Sequence, residues 1–283
     1  MCALKTLGTK EFQIPDGVMY VPLDETGDAR VSNIHEEEWI DFCAMKLKNI
    51  LISIDRHRID LPQSLAFFGK YRSEIVHTSA SDQFCRILDF GGAVGHHLPA
   101  LRVLFENEGS DARIQFDVID NEGMCNRGKR IFADNEVVYS WSEVRPLTSL
   151  DEIAFYSDPE KYEGKFDIFM CTAAFMFIND LTDVLTILRN GKPKYIFFSY
   201  FLANYGTESV KVTCLYHDNQ YYEVTAHSID YLKSYLENIG YKEIESAGFY
   251  NSDEFEDPQI SESLRQLHPG IRNADLYFVH ETP

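Results

Sequence analysis

Cysteine is scarce in this chain of 283 residues, and its six cysteines are spread widely. At least 40 positions separate any two of them, and no Cys-x-x-Cys pair occurs. This spacing excludes a dense disulfide framework and the usual structural zinc motifs. Thiols that are kept reduced are typical of cytoplasmic proteins, and we therefore expect a cytoplasmic location.

Long apolar runs and basic residues are also lacking. No run approaches the roughly 18 apolar residues that cross a bilayer, and residues 1–5 lack the hydrophobic stretch of a secretory signal. Lys and Arg number 26 against 45 Asp and Glu, which gives a formal net charge of -19 at pH 7. Because that charge repels phosphate backbones and anionic lipids, we expect neither nucleic acid nor a membrane as a partner.

The elements predicted from apolar periodicity change in kind along the chain. Residues 1–83 predict an irregular arm and a helical cap, whose first helix begins near Glu36 and whose second covers 62–71. From residue 84 onward, short strands predicted at 86–90, 115–120, 137–140, 166–171 and 195–200 alternate with helices at 96–107, 122–134 and 180–190. This alternation indicates a second region, residues 84–283, built as a doubly wound α/β sheet that is mostly parallel.

The pattern changes again after residue 205. Apolar segments at 210–215 and 221–225 predict a hairpin, and Ser228 is a suitable cap for a helix that ends at Ile239. Strands follow at 242–249 and 275–280, and the acidic stretch 250–274 between them is predicted to be a loop. We expect the last strand to be antiparallel to the rest of the sheet.

The most informative segment is 87–95, Ile-Leu-Asp-Phe-Gly-Gly-Ala-Val-Gly, where a strand meets a glycine-rich turn before a helix. Glycines there let backbone N–H groups approach a ligand, and the helix N-terminus favours a negative group. A tight turn that binds nothing is the alternative. Gly-x-Gly-x-x-Gly does not occur, because Val94 and His96 stand where glycine is needed, and no Gly-Lys-Ser/Thr exists either.

Asp89-x-Gly91-x-Ala93-x-Gly95 resembles motif I of class I S-adenosylmethionine-dependent methyltransferases, which reads acidic-x-Gly-x-Gly-x-Gly. Ala93 departs from the middle glycine, and a tighter turn is expected there. The resemblance implies S-adenosylmethionine as cofactor, S-adenosylhomocysteine as product, and cofactor contacts from Asp89, Gly91, Gly92, Ala93 and Gly95. Residues 88–92 are most similar to an uncharacterised bacterial methyltransferase family often associated with polysaccharide or natural-product clusters.

The same resemblance places further cofactor contacts after the later strands. Asp120 falls where an acidic side chain accepts the ribose hydroxyls, with Asn121 beside it, although either residue is also suited to cap the next helix. Thr172 and Ala173 fall beside the adenine and the sulfonium. The remaining two predicted contacts, Trp141 and Ser142, are expected to cover the adenine. Simple packing of Trp141 is an equal alternative.

Catalytic residues are harder to predict, since methyl transfer needs a base only for a hydroxyl or a protonated amine. The candidates flank the expected site, although each also suits a structural role: His227, Tyr200 and Tyr71. Arg72 is predicted to pair with the methionyl carboxylate if the cap closes the pocket, and to point to solvent otherwise. We predict no metal, because neighbouring side chains such as those of His96 and His97 diverge around a helix.

The sequence therefore predicts methyl transfer to an oxygen or nitrogen of a small molecule, with sugars and natural-product intermediates as candidate acceptors. One alternative is a protein that binds the adenosyl cofactor and transfers nothing. Another is a nicotinamide-dependent oxidoreductase, which the missing dinucleotide motif disfavours. A third is an assembly role, with the helical cap as the arm of a homodimer.

Overall fold

A computed structural model describes residues 19–22, 37–55, 71, 84–107, 113–133, 152–215, 221–248 and 259–281. Its strands are β1 (Met19–Val21), β2 (Phe84–Phe90), β3 (Arg113–Ile119), β4 (Glu152–Tyr156), β5 (Ile168–Thr172), β6 (Tyr195–Asn204), β7 (Val210–Leu215), β8 (Tyr221–Ser228), β9 (Tyr241–Gly248), β10 (Gln259–Ile260) and β11 (Ile271–His280). Its α-helices are α1 (Glu37–Asp55), α2 (Leu98–Asn107), α3 (Glu122–Ala133), α4 (Thr182–Gly191), α5 (Ile229–Asn238) and α6 (Glu262–Leu267).

The core of the molecule is a parallel sheet in the order β4-β3-β2-β5-β6. Strand β2 is central, and Ile87 pairs with Phe116 of β3 on one side and with Ile168 of β5 on the other. Beyond β6 the sheet continues with β11, which is antiparallel to β6, and then with β9. This arrangement confirms the predicted doubly wound, mostly parallel α/β fold with an antiparallel last strand.

Helices cover both faces of this sheet. Apolar residues of α2 pack with β2 and β3 on one face, while α4 and α5 pack with β5 and β6 on the other. Strand β5 is buried along its whole length, as expected of a strand covered on both faces. None of the helices in the described ranges is both long and apolar enough to span a membrane.

A second, largely antiparallel part of the sheet continues from the C-terminal end of β6. There β6 pairs with β8 through Ala203 and His227, and β8 forms the predicted hairpin with β7, which in turn pairs with β1. The predicted helix after this hairpin is confirmed as α5, and Ser228 Oγ caps it by accepting the Tyr231 N–H at 3.3 Å.

One prediction about an individual element needs correction, and another is not tested. The described strand that pairs with β3 is β4, and the strand predicted at 137–140 lies outside the described residues. The stretch 250–274, predicted to be a loop, contains β10, α6 and the start of β11. A strand of two residues and a helix of six are too short to produce a recognisable apolar period.

Helix α1 packs against the sheet-covering helices on the side of the glycine-rich turn. Its Ile40, Cys43 and Leu47, spaced by three and four residues, are buried in a cluster with Val94 and residues of α3. The predicted cap thus contributes at least this helix to the packing around the turn. The division of the chain at residues 83 and 84 stays a prediction.

Candidate active site

The turn between β2 and α2 has the backbone conformation that its glycines suggest. Gly91 and Gly95 have φ of +73° and +77°, and Ala93 adopts the left-handed region as well, at +50°. The Gly91 N–H donates to Ile119 O at 2.7 Å, which ties the turn to the end of β3. The expected tight turn is therefore present, and Ala93 accepts a conformation that usually favours glycine.

A side chain at position 91 has no room. A Cβ built on Gly91 would lie 2.2 Å from Ala174 Cβ, in the loop that follows β5. The glycine loop at Gly91 therefore packs directly against the methyl group of Ala174. Both loops border the same cavity, through Gly91 and Ala174.

The buried side chains of Asp89 and His97 support the turn. The Asp89 side chain is fully buried, and its Oδ2 lies 2.8 Å from His97 Nδ1 across the eight-residue span. A Cβ at Gly92 would meet the Asp89 carboxylate at 2.6 Å, so this glycine lets the turn fold down onto the acid. Asp89 and Gly92 therefore shape the loop and do not line the cavity that it borders.

Asp120, immediately after β3, is joined to the glycine loop by a direct hydrogen bond. Its Oδ2 accepts the Ala93 N–H at 2.8 Å, and its Oδ1 accepts the Asn121 N–H at 2.7 Å. Burial raises the pKa of Asp120 to about 6, with a smaller contribution from the nearby Asp89 carboxylate. Asn121 Oδ1 accepts the Met124 N–H at 3.0 Å, so the capping alternative holds for Asn121.

The loop after β5 supplies the opposite side of the site. Ala173 has φ of +56° and its N–H donates to Ser199 O at 2.8 Å, which anchors the loop to β6. Thr172 is buried, and its Oγ1 has no hydrogen-bond partner among the described residues. A buried hydroxyl without a partner is costly, so Thr172 is ready to bond a ligand.

These loops meet around a cavity of about 340 Å³ at the carboxyl edge of the parallel strands. That edge is where open α/β sheets bind their ligands. Of the predicted cofactor contacts, the structure brings six together in the cavity wall: Gly91, Ala93, Asp120, Asn121, Thr172 and Ala173. The cavity lining is mainly apolar, which suits a small-molecule site with few, well-placed polar groups.

Part of the cavity wall was not predicted from the sequence. Trp39, Cys43 and Lys46 of α1 border it. Trp39 contacts Phe177 at a ring-centroid distance of 6.1 Å and Tyr222 of β8 at 5.4 Å. The three α1 residues follow a three-to-four spacing, but only the fold shows which face of the helix meets the glycine loop.

The three predicted bases are not in the cavity wall. Tyr71 packs against Phe197 and Tyr277 in the core, which matches the alternative in which the cap simply packs on the sheet. Tyr200 lies at a β-bulge, where its N–H donates to Asp275 Oδ1 at 2.8 Å.

His227 lies behind the cavity wall. It donates from Nε2 to Ile178 O at 2.7 Å, and its ring packs on Phe175. Burial lowers the pKa of His227, so it is a neutral structural histidine here. Tyr71 and His227 thus pack within the fold, and none of the three predicted bases borders the space where a ligand fits.

Gly95, a predicted contact, does not border the cavity. Gly95 faces Ile153 and Phe132, because a Cβ there would meet Ile153 Cδ1 at 2.7 Å. Trp141, Ser142 and Arg72 are outside the described residues. Since β4 is the strand after β3, the residue that follows it and borders the cavity is Ser157.

A larger groove of about 670 Å³ lies between α4 and the segment around Tyr162. Its lining is about equally polar and apolar, and its wall includes the ion pair of Arg86 and Asp167 near the start of β2 and β5. None of the glycine-loop residues borders it. We therefore assign the functional site to the smaller cavity, where four loops from the sheet edge converge.

No known family profile matches this sequence, and no curated protein is significantly similar to it. Among solved structures, similarity is found to the SAM-bound amino pentose methyltransferase of calicheamicin biosynthesis from Micromonospora echinaspora, at 8% identity and TM-score 0.41, covering 81% of this chain and 96% of that one. The magnesium protoporphyrin IX methyltransferase from Synechocystis with bound SAH is similar at 12% identity and TM-score 0.40, covering 74% and 81%. Similarity at these identities does not show the activity of this chain.

Proposed function

We propose that the cavity binds S-adenosylmethionine and that the chain transfers its methyl group to an oxygen or nitrogen atom of a small molecule. The observation that carries this proposal is the bond between Ala93 N–H and Asp120 Oδ2. It joins a motif I-like turn to an acidic residue at the end of the next strand, as a nucleoside site on a doubly wound sheet requires.

The residues of the cavity fit such a cofactor. Asp120 offers carboxylate oxygens to a pair of ribose hydroxyls, and the edges of Gly91 and Ala93 present backbone to the ligand. Thr172 Oγ1 supplies an unsatisfied polar atom on the other side. The volume of about 340 Å³ is within the range of small-molecule sites.

The cofactor would bring an activated methyl group on a sulfonium, so the protein has mainly to align and to exclude water. Trp39, Phe177 and Phe90 form apolar wall that keeps water from the reacting atoms. Alignment of two bound reactants contributes roughly 7–11 kcal/mol in favourable cases. With the three predicted bases away from the cavity, alignment is the contribution that this site is best built to make.

The position of the three predicted bases outside the cavity wall favours a second candidate function, an adenosyl-binding protein that transfers nothing. The two functions share the cofactor site and differ only in turnover. The loop at Asp89–Gly95 remains unsuited to a nicotinamide dinucleotide, since a motif counted from Gly91 needs glycine where Ala93 and His96 stand, and one counted from Gly92 needs it at Val94.

Methyl-labelled S-adenosylmethionine distinguishes these functions. We expect the full chain to transfer label to at least one member of a panel of amino sugars, sugar hydroxyls, phenols and amines. Asp120→Ala should lose this transfer through weaker cofactor binding. Tight binding of the cofactor with no labelled product across the panel would contradict methyl transfer and support the binding protein.

A further inference from the structure

Trp39 borders the cavity, and three other aromatic rings hold its indole ring in place. It stacks on Phe42, three residues further along α1, at a centroid distance of 5.3 Å and an interplanar angle of 28°. Phe177 after β5 and Tyr222 of β8 contact it at 6.1 and 5.4 Å. Trp39 is nevertheless only partly buried. A fixed aromatic ring at the edge of a cavity is suited to bind another flat ring, because aromatic pairs gain energy beyond their buried area.

The order of the strands separates this aromatic surface from Asp120. Strands β3 and β5 flank β2 on opposite sides. Asp120, after β3, and Phe177, after β5, therefore border the cavity from opposite sides of the glycine turn. A ribose held by Asp120 leaves the side of Trp39 and Phe177 for the methyl acceptor.

The cavity wall on the β5 side has no ionisable side chain among the described residues. The five residues that border the cavity there are Thr172, Ala173, Ala174, Phe177 and Ile178. Apart from the Thr172 hydroxyl, their side chains are apolar. This wall has no charged partner for an ionic acceptor, and a sugar would leave several hydroxyl groups unpaired against it, which is costly. The wall therefore favours a flat, mostly apolar acceptor.

The available bases point to the same class of acceptor. None of the three predicted bases borders the cavity. His96 does border it, but burial lowers its pKa well below the ordinary value, which makes it a weak base. Lys46 lies two helical turns from Trp39, about 10 Å along α1. An acceptor that needs no strong base fits best, such as a phenol, whose pKa is about 10 as in tyrosine, or an aromatic amine, which is unprotonated at neutral pH.

We propose that Trp39 and Phe177 bind the ring of an aromatic methyl acceptor, a phenol or an aromatic amine, and so determine which substrate is methylated. The lone pair of the acceptor oxygen or nitrogen attacks the methyl carbon of S-adenosylmethionine. The carbon–sulfur bond breaks with its electron pair on sulfur, and the acceptor proton passes to solvent. The products are the methyl ether or N-methylamine and S-adenosylhomocysteine. This inference rests on the proposed function, because it names the acceptor of the same site.

Methyl-labelled S-adenosylmethionine tests this proposal on the full chain, with phenols and anilines set against their cyclohexyl counterparts and amino sugars. We expect kcat/KM for the aromatic members to be at least about tenfold higher. Equal or faster labelling of the cyclohexyl compounds or sugars would overturn the aromatic acceptor and leave methyl transfer standing. Binding of S-adenosylhomocysteine with no label on any acceptor would contradict methyl transfer itself, and this inference with it.

Variants of Trp39 separate stacking from the intrinsic reactivity of the acceptors. Trp39→Leu should raise KM for the best aromatic acceptor about tenfold, since the stacked ring is lost. Its affinity for S-adenosylhomocysteine should stay within about twofold, because the ribose contact lies across the turn. Trp39→Phe keeps a ring and should keep KM near the wild-type value.

Tyr231→Leu is the matched control, because it removes a ring of α5 that is 55% exposed and does not border the cavity. It should change neither KM nor the affinity for S-adenosylhomocysteine. An unchanged KM in Trp39→Leu, or an equal loss of affinity for S-adenosylhomocysteine, would overturn the proposal. If Trp39→Leu does not fold, Phe177→Leu is judged by the same two measurements.

Discussion

The backbone N–H of Ala93 and the carboxylate of Asp120 are joined at 2.8 Å, across 27 positions of sequence. The bond connects the turn after β2 directly to the end of β3. A cofactor would therefore meet a loop and an acid that already hold each other in place. Such preorganisation reduces the ordering cost of binding.

Asp120→Ala should weaken S-adenosylhomocysteine binding at least tenfold, because it removes two hydrogen bonds to ribose that are worth roughly 1.5–3 kcal/mol each to a charged acceptor. Asp120→Asn is the matched control, since its amide oxygen can still accept the Ala93 N–H. We expect it to keep the fold and an intermediate affinity. Wild-type affinity in a folded Asp120→Ala protein would move the ribose contact to Asn121.

The affinity for S-adenosylhomocysteine should depend on pH through the ionisation of the Asp120 carboxyl group. The pKa of Asp120 is raised to about 6 by burial, whereas ribose hydroxyls are best accepted by the ionised form. Affinity should therefore be full above pH 6 and fall below it, by at most about tenfold per pH unit for one proton. Asp120→Asn should be flat over the same range, and equal slopes for the two proteins would assign the effect to another group.

The raised pKa of Asp120 also makes the free energy of unfolding depend on pH. The dependence has the opposite sign from that of an ion-paired acid, whose pKa is lowered in the folded state. The folded protein keeps the Asp120 proton in the window between the unfolded value, near 3.8, and about 6. This group's contribution to stability is thus present below the unfolded pKa and is lost as the pH rises through the folded pKa. Urea unfolding of wild type and Asp120→Asn at pH 5 and pH 7.5 isolates this contribution. A larger wild-type advantage at pH 7.5 than at pH 5 would contradict it.

Gly91→Ala should abolish detectable cofactor binding. The added Cβ would lie 2.2 Å from Ala174 Cβ, and the residue has φ of +73°, so the loop must move. Gly91→Ala combined with Ala174→Gly removes the clash and leaves only the backbone strain, and it should recover part of the affinity. Unaltered binding by Gly91→Ala alone would mean that this loop is merely a turn.

Asp89→Ala tests the support beneath the loop. It leaves the buried His97 Nδ1 without its partner, and we expect a loss of about 3 kcal/mol in the free energy of unfolding. Denaturant titration measures that loss directly. A change in stability below about 0.5 kcal/mol, the level usual for surface substitutions, would show that the pair does not support the loop.

The sequence predicted those parts of the site that short local patterns indicate. The strand and glycine turn at 86–95 and the acid at 120 have local signatures, because a buried strand and a turn with positive φ restrict composition strongly. Trp39 and Lys46 could not be found in this way. Their role depends on where α1 packs, which is decided by contacts with α3 that are distant in sequence.

The strand beside β3 shows the same limit. It is β4, which begins at Glu152, and it was not among the predicted strands, because only Phe155 of its five residues is buried and its apolar signal is weak. The strand predicted at 137–140 and the predicted contact of Trp141 lie outside the described residues. Candidate bases are hard to predict, since residue type does not show which side chains border the cavity. Tyr71 packs against Phe197, His227 donates to Ile178 O, and Tyr200 does not border the cavity either.

The most direct measurement for the central claim is calorimetric titration of the full wild-type chain with S-adenosylhomocysteine and, in parallel, with NAD. The account predicts one saturable site with micromolar affinity for S-adenosylhomocysteine and no heat of binding with NAD. Binding of NAD without binding of S-adenosylhomocysteine would contradict the assignment of the cavity.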